Sequence, residues 1–482
     1  MQLHERTRSK NAEASKSLAS TLQMLIDKYK DESKLMLILC GSSMSYMEDQ
    51  VLAYKSPLYG RRTAQMKITP FSFEECCTYL KGLSDEDKAL VYGIVGGTPQ
   101  YLLQMSDKLS VEENIKNTYL NPMSFLYEEP VNLLKQEVRE PAIYNAIITA
   151  IATGYSRMSE ISTKVGESTT TCTSYIKNLI NLGIIKKETP YGEKASKKTI
   201  YSIEDNMFYF WYRFVLENSS VIARGAADLV YKRIEKQLND YMGRIFEEIC
   251  TQYLWKQLLS GNMPVEFVSL GRWWGNDPRT RSQTEIDIMG EQDSSSAIFA
   301  ECKWRNESVD LDILETLIER SGLFRYTKIH YFLFSKNGFT KECMEKAAEM
   351  GNVSLIKYED LIMDINKLNE IAHNHSIILI KDSFQKFPNR FLVYDDKRWG
   401  CNRFLNYKDN SNNEDFIKKH LSGDLKIELE DIKLSYLGQR IHEKYSESAK
   451  KRKVYCHKFY IDDIKKFPDK IKQDSCYHKK QR

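Results

Sequence analysis

Residues 284–304 read TEIDIMGEQDSSSAIFAECKW, and no other stretch constrains the fold as tightly. Its apolar positions are Ile286 and Ile288, then Ile298, Phe299 and Cys302 beyond a Glu-Gln-Asp-Ser-Ser-Ser reversal, a pattern that predicts two strands joined by a hairpin. Side chains alternate faces along a strand, so Glu301 and Lys303, two apart, share a face. Asp287 stands between two isoleucines on the preceding strand. Carboxylates and ammonium groups are rarely buried without a partner. An Asp, a Glu and a Lys gathered by one hairpin therefore form either an ion-paired patch or a site.

The chain has 482 residues, too many for a single core, and two to four domains are expected. No apolar run is long enough to cross a bilayer, and the first twenty residues are polar, so the expectation is a cytoplasmic protein with no membrane partner. The ten cysteines, adjacent Cys76 and Cys77 among them, form no C-x-x-C pair and no zinc spacing, which suits reduced thiols. The net charge of +4 is unevenly spread: from Arg440 to Arg482 there are fourteen Lys/Arg against six Asp/Glu, a tail of +8. Such a tail suits a polyanion such as nucleic acid, and equally a solvated charged surface.

Residues 1–130 start with a helical pattern (Leu18, Leu22, Met24, Leu25, Ile26). The apolar run Leu35 to Cys40, closed by Gly41, Ser42 and Ser43, predicts a buried parallel strand, and Ala64 to Ile68 a second, shorter one. Gly96-Gly97-Thr98-Pro99 should end one helix and start another. The stretch CGSSMSYMEDQVLAYKSPLYGRRTAQMKITPFSF, with its unusual KSPLYGRR string and the later GGTPQYL, resembles the archaeal-type ATPases of the AAA+/STAND group. The resemblance runs to about residue 340. It implies a partial AAA+ domain with a helical lid, ATP as ligand, Ser42 or Ser43 as the polar sensor at a strand end, and Arg61 or Arg62 reaching a phosphate, a role suited to the bidentate guanidinium. One departure matters: no G-x-x-x-x-G-K-[ST] loop occurs in the sequence, so the backbone cradle and lysine for the β/γ-phosphates are lacking. The expectation is either a fragment of a longer product or a degenerate ATPase, with no ATP hydrolysis by this chain alone.

Residues 131–215 read as a winged helix-turn-helix: PAIYNAIITAIATG, SRMSEISTKVG and STTTCTSYIKNLINLG as helices, then two strands. The third helix, about Thr169 to Leu182, would enter a major groove with Thr169, Thr170, Thr171, Thr173, Ser174 and Lys177, while Lys186, Lys187, Lys194, Lys197 and Lys198 crowd the wing. The alternative is a protein-contact module packed on the ATPase core. NMFYFWYRFV (206–215) reads as a helix buried on both sides rather than a stacking platform for bases.

Residues 216–375 predict helix, three antiparallel strands, helix and strand, the core of the PD-(D/E)xK, restriction-endonuclease-like fold, and the resemblance implies such a domain at this place. Asp287 and Glu301 would hold Mg²⁺, a hard cation that takes carboxylate oxygens and keeps several waters. Lys303 would position the attacking water or stabilise charge on the phosphate. A helical glutamate, Glu247 or Glu248, would complete the catalytic set. Residues 376–482 form a basic α+β domain with a weak resemblance to Nudix-like domains, without the R-E-x-x-E-E core of the Nudix box. The expected protein is thus multidomain, α/β and α+β, an ATPase-family regulator with winged-helix and nuclease-like modules that acts on DNA, open to a protein partner or self-association. The competing expectation is a non-enzymatic scaffold in which both catalytic modules have decayed.

Overall fold

The computed structural model describes residues 18–30, 37–39, 53–61, 63–66, 68–138, 140–193, 196–363, 373–380, 394–396, 401–408, 414–426, 428–446 and 451–462. They form two compact units, Met1–Asp360 and Leu361–Arg482. The whole is a mixed α/β structure with a helical N-terminal region. No helix among the described residues is long and apolar enough to cross a membrane.

Among the described residues, all regular elements of the first unit up to Asn181 are helices, and the first strand is β1 (Ile185–Glu188). The two strands expected earlier are not found where they can be seen. Leu37–Leu39 is irregular backbone with Ile38 and Leu39 exposed, and the described residues of 64–68 are irregular with Met66 and Ile68 exposed. An apolar run signals burial only when neighbours exist to cover it, and no described strand in this region pairs with either segment. The Gly-Gly-Thr-Pro break lies as expected between helices Asp85–Val95 and Pro99–Leu102. Gly96 adopts φ +66°, and the Gly97 carbonyl accepts the Phe71 N–H at 2.8 Å.

Helices Pro141–Ala152, Met158–Val165 and Thr169–Asn181 are followed by the antiparallel pair β1 and β2 (Ile200–Ile203). The aromatic run then forms helix Asn206–Phe210 continued by a π-helical turn to Val215, in which Met207, Phe208, Phe210, Tyr212 and Val215 are buried. Its residues are core, as their density suggests.

A 33-residue helix, Ala227–Leu259, leads into the five-stranded sheet. The strands are β3 (Gly271–Asp277), β4 (Ser282–Glu291), β5 (Ser296–Lys303), β6 (Lys328–Ser335) and β7 (Val353–Lys357), in that spatial order. β3–β4 and β4–β5 are antiparallel; β5–β6 and β6–β7 are parallel, joined through helices Leu311–Ser321 and Lys341–Met350. β3 begins at Gly271, so the apolar positions Val265 and Phe267 lie before the strand. One sheet face buries Phe299, Tyr331 and Leu333 under Leu314, Leu317, Cys343 and Ala347 of those two helices. On the other face the long helix sets Phe246 against Trp304 and Tyr253 against Phe334.

In the second unit β8 (His373–Ile380) lies between β11 (Leu405–Lys408) and β13 (Lys451–Asp462), and β12 (Ser435–Ser446) pairs with β13 as a long hairpin. β9 (Tyr394–Asp396) and β10 (Cys401–Arg403) pair separately. Helix Glu414–Leu425 buries Ile417, Leu421 and Leu425 with Ile378 and Ile432.

Gly97 packs so closely on the Phe71 backbone that a Cβ would overlap its carbonyl group. Gly97→Ala should destabilise the first unit by about 1–3 kcal/mol, as overpacking at a rigid contact does, measured as a lowered urea midpoint; an unchanged midpoint would contradict this contact.

Candidate active site

The β4–β5 hairpin brings the expected residues together. Its ladder runs from Glu291↔Ala297 to Ile288↔Ala300 and stops there. At the next step the Asp287 carboxylate takes the place of a main-chain acceptor: the Cys302 N–H donates to Asp287 Oδ2 at 2.8 Å. On the other edge of β4 the register against β3 shifts, since Gly271↔Met289 is followed by Trp273↔Ile286. Two residues of β4, Asp287 and Ile288, thus oppose one of β3, Arg272, a bulge that contains Asp287 and breaks the regular alternation there. β5 continues past the end of its β4 ladder, paired with β6 through Glu301↔Leu333 and Lys303↔Ser335.

Asp287 and Glu301 are both buried, each about 6% exposed. Lys303 Nζ lies 2.6 Å from Glu301 Oε1 and 4.0 Å from Asp287 Oδ2, one ammonium spanning two carboxylates. Arg320, near the end of helix Leu311–Ser321, reaches Glu301 Oε2 at 3.3 Å. Burial, then the nearby Glu301 and Glu247 carboxylates, push the Asp287 carboxyl up to about 8, with Lys303 and the Cys302 N–H pulling the other way. Burial works against the Lys303 ammonium, yet Glu301 and Asp287 outweigh it and hold its pKa above the ordinary lysine value.

The two neighbouring helical glutamates separate. Glu247 points toward the cluster; burial raises its pKa, Arg272 opposes that rise, and Arg272 Nε stands 3.4 Å from its carboxylate. Glu248 accepts the Tyr92 hydroxyl at 2.6 Å and a Gln252 amide N–H at 3.1 Å, which commits it to the helix–helix interface. Arg272 and Arg320 were not singled out from the sequence. They arrive from β3 and from the crossover helix, and neither carries a local pattern that marks it. Arg272 also pairs with Glu285 at 3.1 Å.

The other candidates lie apart. Ser42, Ser43, Arg62 and Lys194 fall outside the described residues. Arg61 is described, and its guanidinium forks onto Asp27 at 2.7 and 2.8 Å. On the third helix of the 141–203 segment, Thr169, Thr170, Thr173, Ser174 and Lys177 are exposed and Thr171 half-buried. Two of the hairpin lysines are paired locally, Lys186 with Glu188 and Lys198 with Glu193. The hairpin connection itself is fastened to β3: Tyr191 N–H donates to the Arg272 carbonyl at 2.8 Å, and Trp274 Nε1 to the Lys198 carbonyl at 3.0 Å.

Residues 5–105 match a family model described as an ATPase domain predominantly from Archaea. Those residues support ATPase-family membership. Residues 211–314, which carry the long helix and the β4–β5 hairpin, match a family of archaeal and bacterial proteins of unknown function. The chain is 34% identical over 292 residues to the uncharacterized protein MJECL04 of Methanocaldococcus jannaschii, across 60% of this chain and 64% of that relative's length. Protein VC1899 from Vibrio cholerae aligns structurally with 64% of this chain and 63% of its own, at 12% identity and a TM-score of 0.23.

A carboxyl whose pKa is raised on folding holds a proton that the unfolded chain has released. Its contribution to stability is complete below the ordinary Asp value of 3.8 and is lost as pH rises to about 8. In EDTA, stability should therefore carry a downward component across that window. Asp287→Asn, which keeps an acceptor for the Cys302 N–H and cannot ionise, should flatten it. Chemical denaturation of both proteins across this pH range checks it, and parallel curves would contradict the assignment.

Proposed function

We propose that the Asp287–Glu301–Lys303 cluster is a divalent-metal-dependent phosphodiesterase site acting on nucleic acid, within an ATPase-family protein. The observation that carries this reading is the pair of buried carboxylates at the end of the β4–β5 ladder, bridged by one ammonium at 2.6 and 4.0 Å, with the Arg320 guanidinium on Glu301 at 3.3 Å. Burying carboxylates is costly without a compensating cation, and two carboxylates with no imidazole suit a hard cation that retains waters. Among the described residues no three His, Cys, Asp or Glu side chains converge as a metal cage, so the fit is to Mg²⁺ or Mn²⁺ held by two ligands rather than to a closed structural site.

In this reading Asp287 and Glu301 hold the metal, which when bound polarises a phosphodiester oxygen and acidifies a bound water. Lys303 stabilises charge on the phosphate or orients the water. Glu247 shapes the field from the long helix, and Arg320 pairs with Glu301 at 3.3 Å. The order of elements supports a PD-(D/E)xK fold: helix, three-stranded antiparallel meander, crossover helix, parallel strand. Three helices and a strand pair over 141–203 support a winged helix-turn-helix, whose exposed Thr/Ser/Lys face on Thr169–Asn181 is free to meet DNA. Nucleotide and Mg²⁺ use in general accord with the ATPase-family match of residues 5–105.

A ligand that binds only the folded state raises its stability, by about 2.7 kcal/mol at a hundredfold excess over Kd. Mg²⁺ or Mn²⁺ should raise the melting temperature of the full chain, and Asp287→Asn should abolish that rise. Lys303→Ala should keep the rise and lose cleavage of plasmid DNA. A melting temperature indifferent to metal would leave a structural ion-pair cluster in place of the site, and a rise that persists in Asp287→Asn would refute the ligand assignment.

A further inference from the structure

A cavity of about 750 Å³ opens beside the carboxylate cluster, bounded by the β1–β2 hairpin, the long helix and the β3–β4 end of the sheet. Five arginines line it: Arg157, Arg213, Arg244, Arg272 and Arg320. Against them stand only two acidic side chains of the lining, Asp240 and Glu285. Arg272 and Arg320 are the two that also reach the carboxylate cluster. Arg157, Arg213 and Arg244 form no ion pair with a carboxylate among the described residues. Arg213 donates only a long bond to the Ala152 carbonyl at 3.4 Å, and Arg244 lies over the Tyr209 ring at 4.9 Å. The buried Nε of Arg272 makes no hydrogen bond and faces the Glu247 carboxylate at 3.4 Å. Guanidinium groups gathered in a concave, partly desolvated space repel one another, and an anion with several acceptor oxygens relieves that repulsion.

The wall also carries flat faces. Trp274 is half-buried with its indole N–H already committed to the Lys198 carbonyl, so its ring is what it offers to the cavity. Tyr201 lies nearby on β2, also half-buried. Arginines beside aromatic rings are the combination that takes a phosphate and an unpaired base together. A duplex keeps its bases stacked inside and offers such a wall only its backbone.

We propose that this cleft binds a segment of single-stranded nucleic acid, phosphates on the arginines and a base against Trp274 or Tyr201, and leads the strand to Asp287 and Glu301. The inference deepens the phosphodiesterase reading and rests on it for the strand's destination. A free nucleotide presents the same phosphate-plus-base chemistry, so the test separates the two sources.

Binding of a fluorescent oligothymidylate to the full chain is followed by anisotropy in EDTA across a salt series, beside a duplex of equal length and ATP as competitor. The single strand should bind best. Replacing Arg157, Arg213 and Arg244 together by Ala should weaken binding at least tenfold and lower the slope of log affinity on log salt by roughly 2, at about 0.7 per lost contact. Arg157→Glu alone, at an exposed position, should weaken binding at least threefold and repeats the test if the triple variant fails to fold. Wild-type affinity in both variants would overturn the cleft assignment. Arginine-dependent binding of ATP or of duplex as tight as that of the single strand would overturn the choice of ligand. Strand binding by the wild type with no cleavage in Mg²⁺ would remove the phosphodiesterase and leave the cleft; cleavage of single strand undiminished in the triple variant would leave the phosphodiesterase and remove the cleft.

Discussion

The helix Ala227–Leu259 is the element on which the first unit depends. At 1.5 Å per residue its 33 residues span about 50 Å, long enough to serve two neighbours along one rod. Toward the N-terminal helices it presents the Tyr241 hydroxyl, which donates to the Gly93 carbonyl at 2.6 Å, and Gln252, whose Oε1 accepts the Phe73 N–H at 2.8 Å. Met242 and Ile245 close so tightly over Gly93 that a Cβ there would meet the Met242 sulfur. Toward the sheet it presents Phe246 and Tyr253. The N-terminal helices, the three-helix segment and the sheet consequently fall within one compact unit rather than three. A side chain at position 247 is thereby fixed relative to strands that lie far from it in sequence.

That rod explains which parts of the site were legible beforehand. The hairpin was, because alternation and a polar turn are local signals; Glu301 and Lys303 share a face because strands repeat every two residues. The choice between Glu247 and Glu248 was not, since adjacent helical residues point about 100° apart and only the packing on Tyr92 decides which turns inward. The bulge at Asp287 has no sequence mark either; it arises from the mismatch of register between β3 and β4. Arg272 and Arg320 were invisible because their significance depends on a crossover connection and on an edge strand, both long-range facts. The misreading ran the other way around Leu35–Cys40. A short apolar run cannot be told from a strand by its composition, and Ile38 and Leu39 prove exposed.

The edge of the sheet shows how two modules share one surface. β3 is an edge strand, and an open edge invites unwanted pairing. Here the connection of the β1–β2 hairpin covers it: Tyr191 bonds to the Arg272 carbonyl through its N–H, and its hydroxyl accepts from the Glu291 N–H at 3.1 Å. Gly271 lies under the Tyr191 ring, where a side chain would crowd it. The hairpin is thus tied to the sheet at its connection while the exposed face of Thr169–Asn181 remains available on the same segment. The proposed contact of that helix with DNA would be compatible with the hairpin's hold on the sheet edge.

Charge links the cluster to the cleft. Burial disfavours the ionised forms of Glu247 and Asp287, Glu301 is buried beside Lys303, and Lys303, Arg272 and Arg320 are the cations paired with these carboxylates. Two of those three cations also line the cavity. A phosphate entering the cavity competes with Glu247 and Glu301 for the same guanidinium groups. Each arginine it draws away would leave a carboxylate less neutralised, and the proposed divalent cation would restore the balance. On the proposed reading, an anion in the cleft and a cation at the carboxylates would favour each other through these shared arginines. If the proposed metal site and cleft hold, metal would bind most strongly with the phosphate ligand in place, and that thermodynamic coupling would be reciprocal.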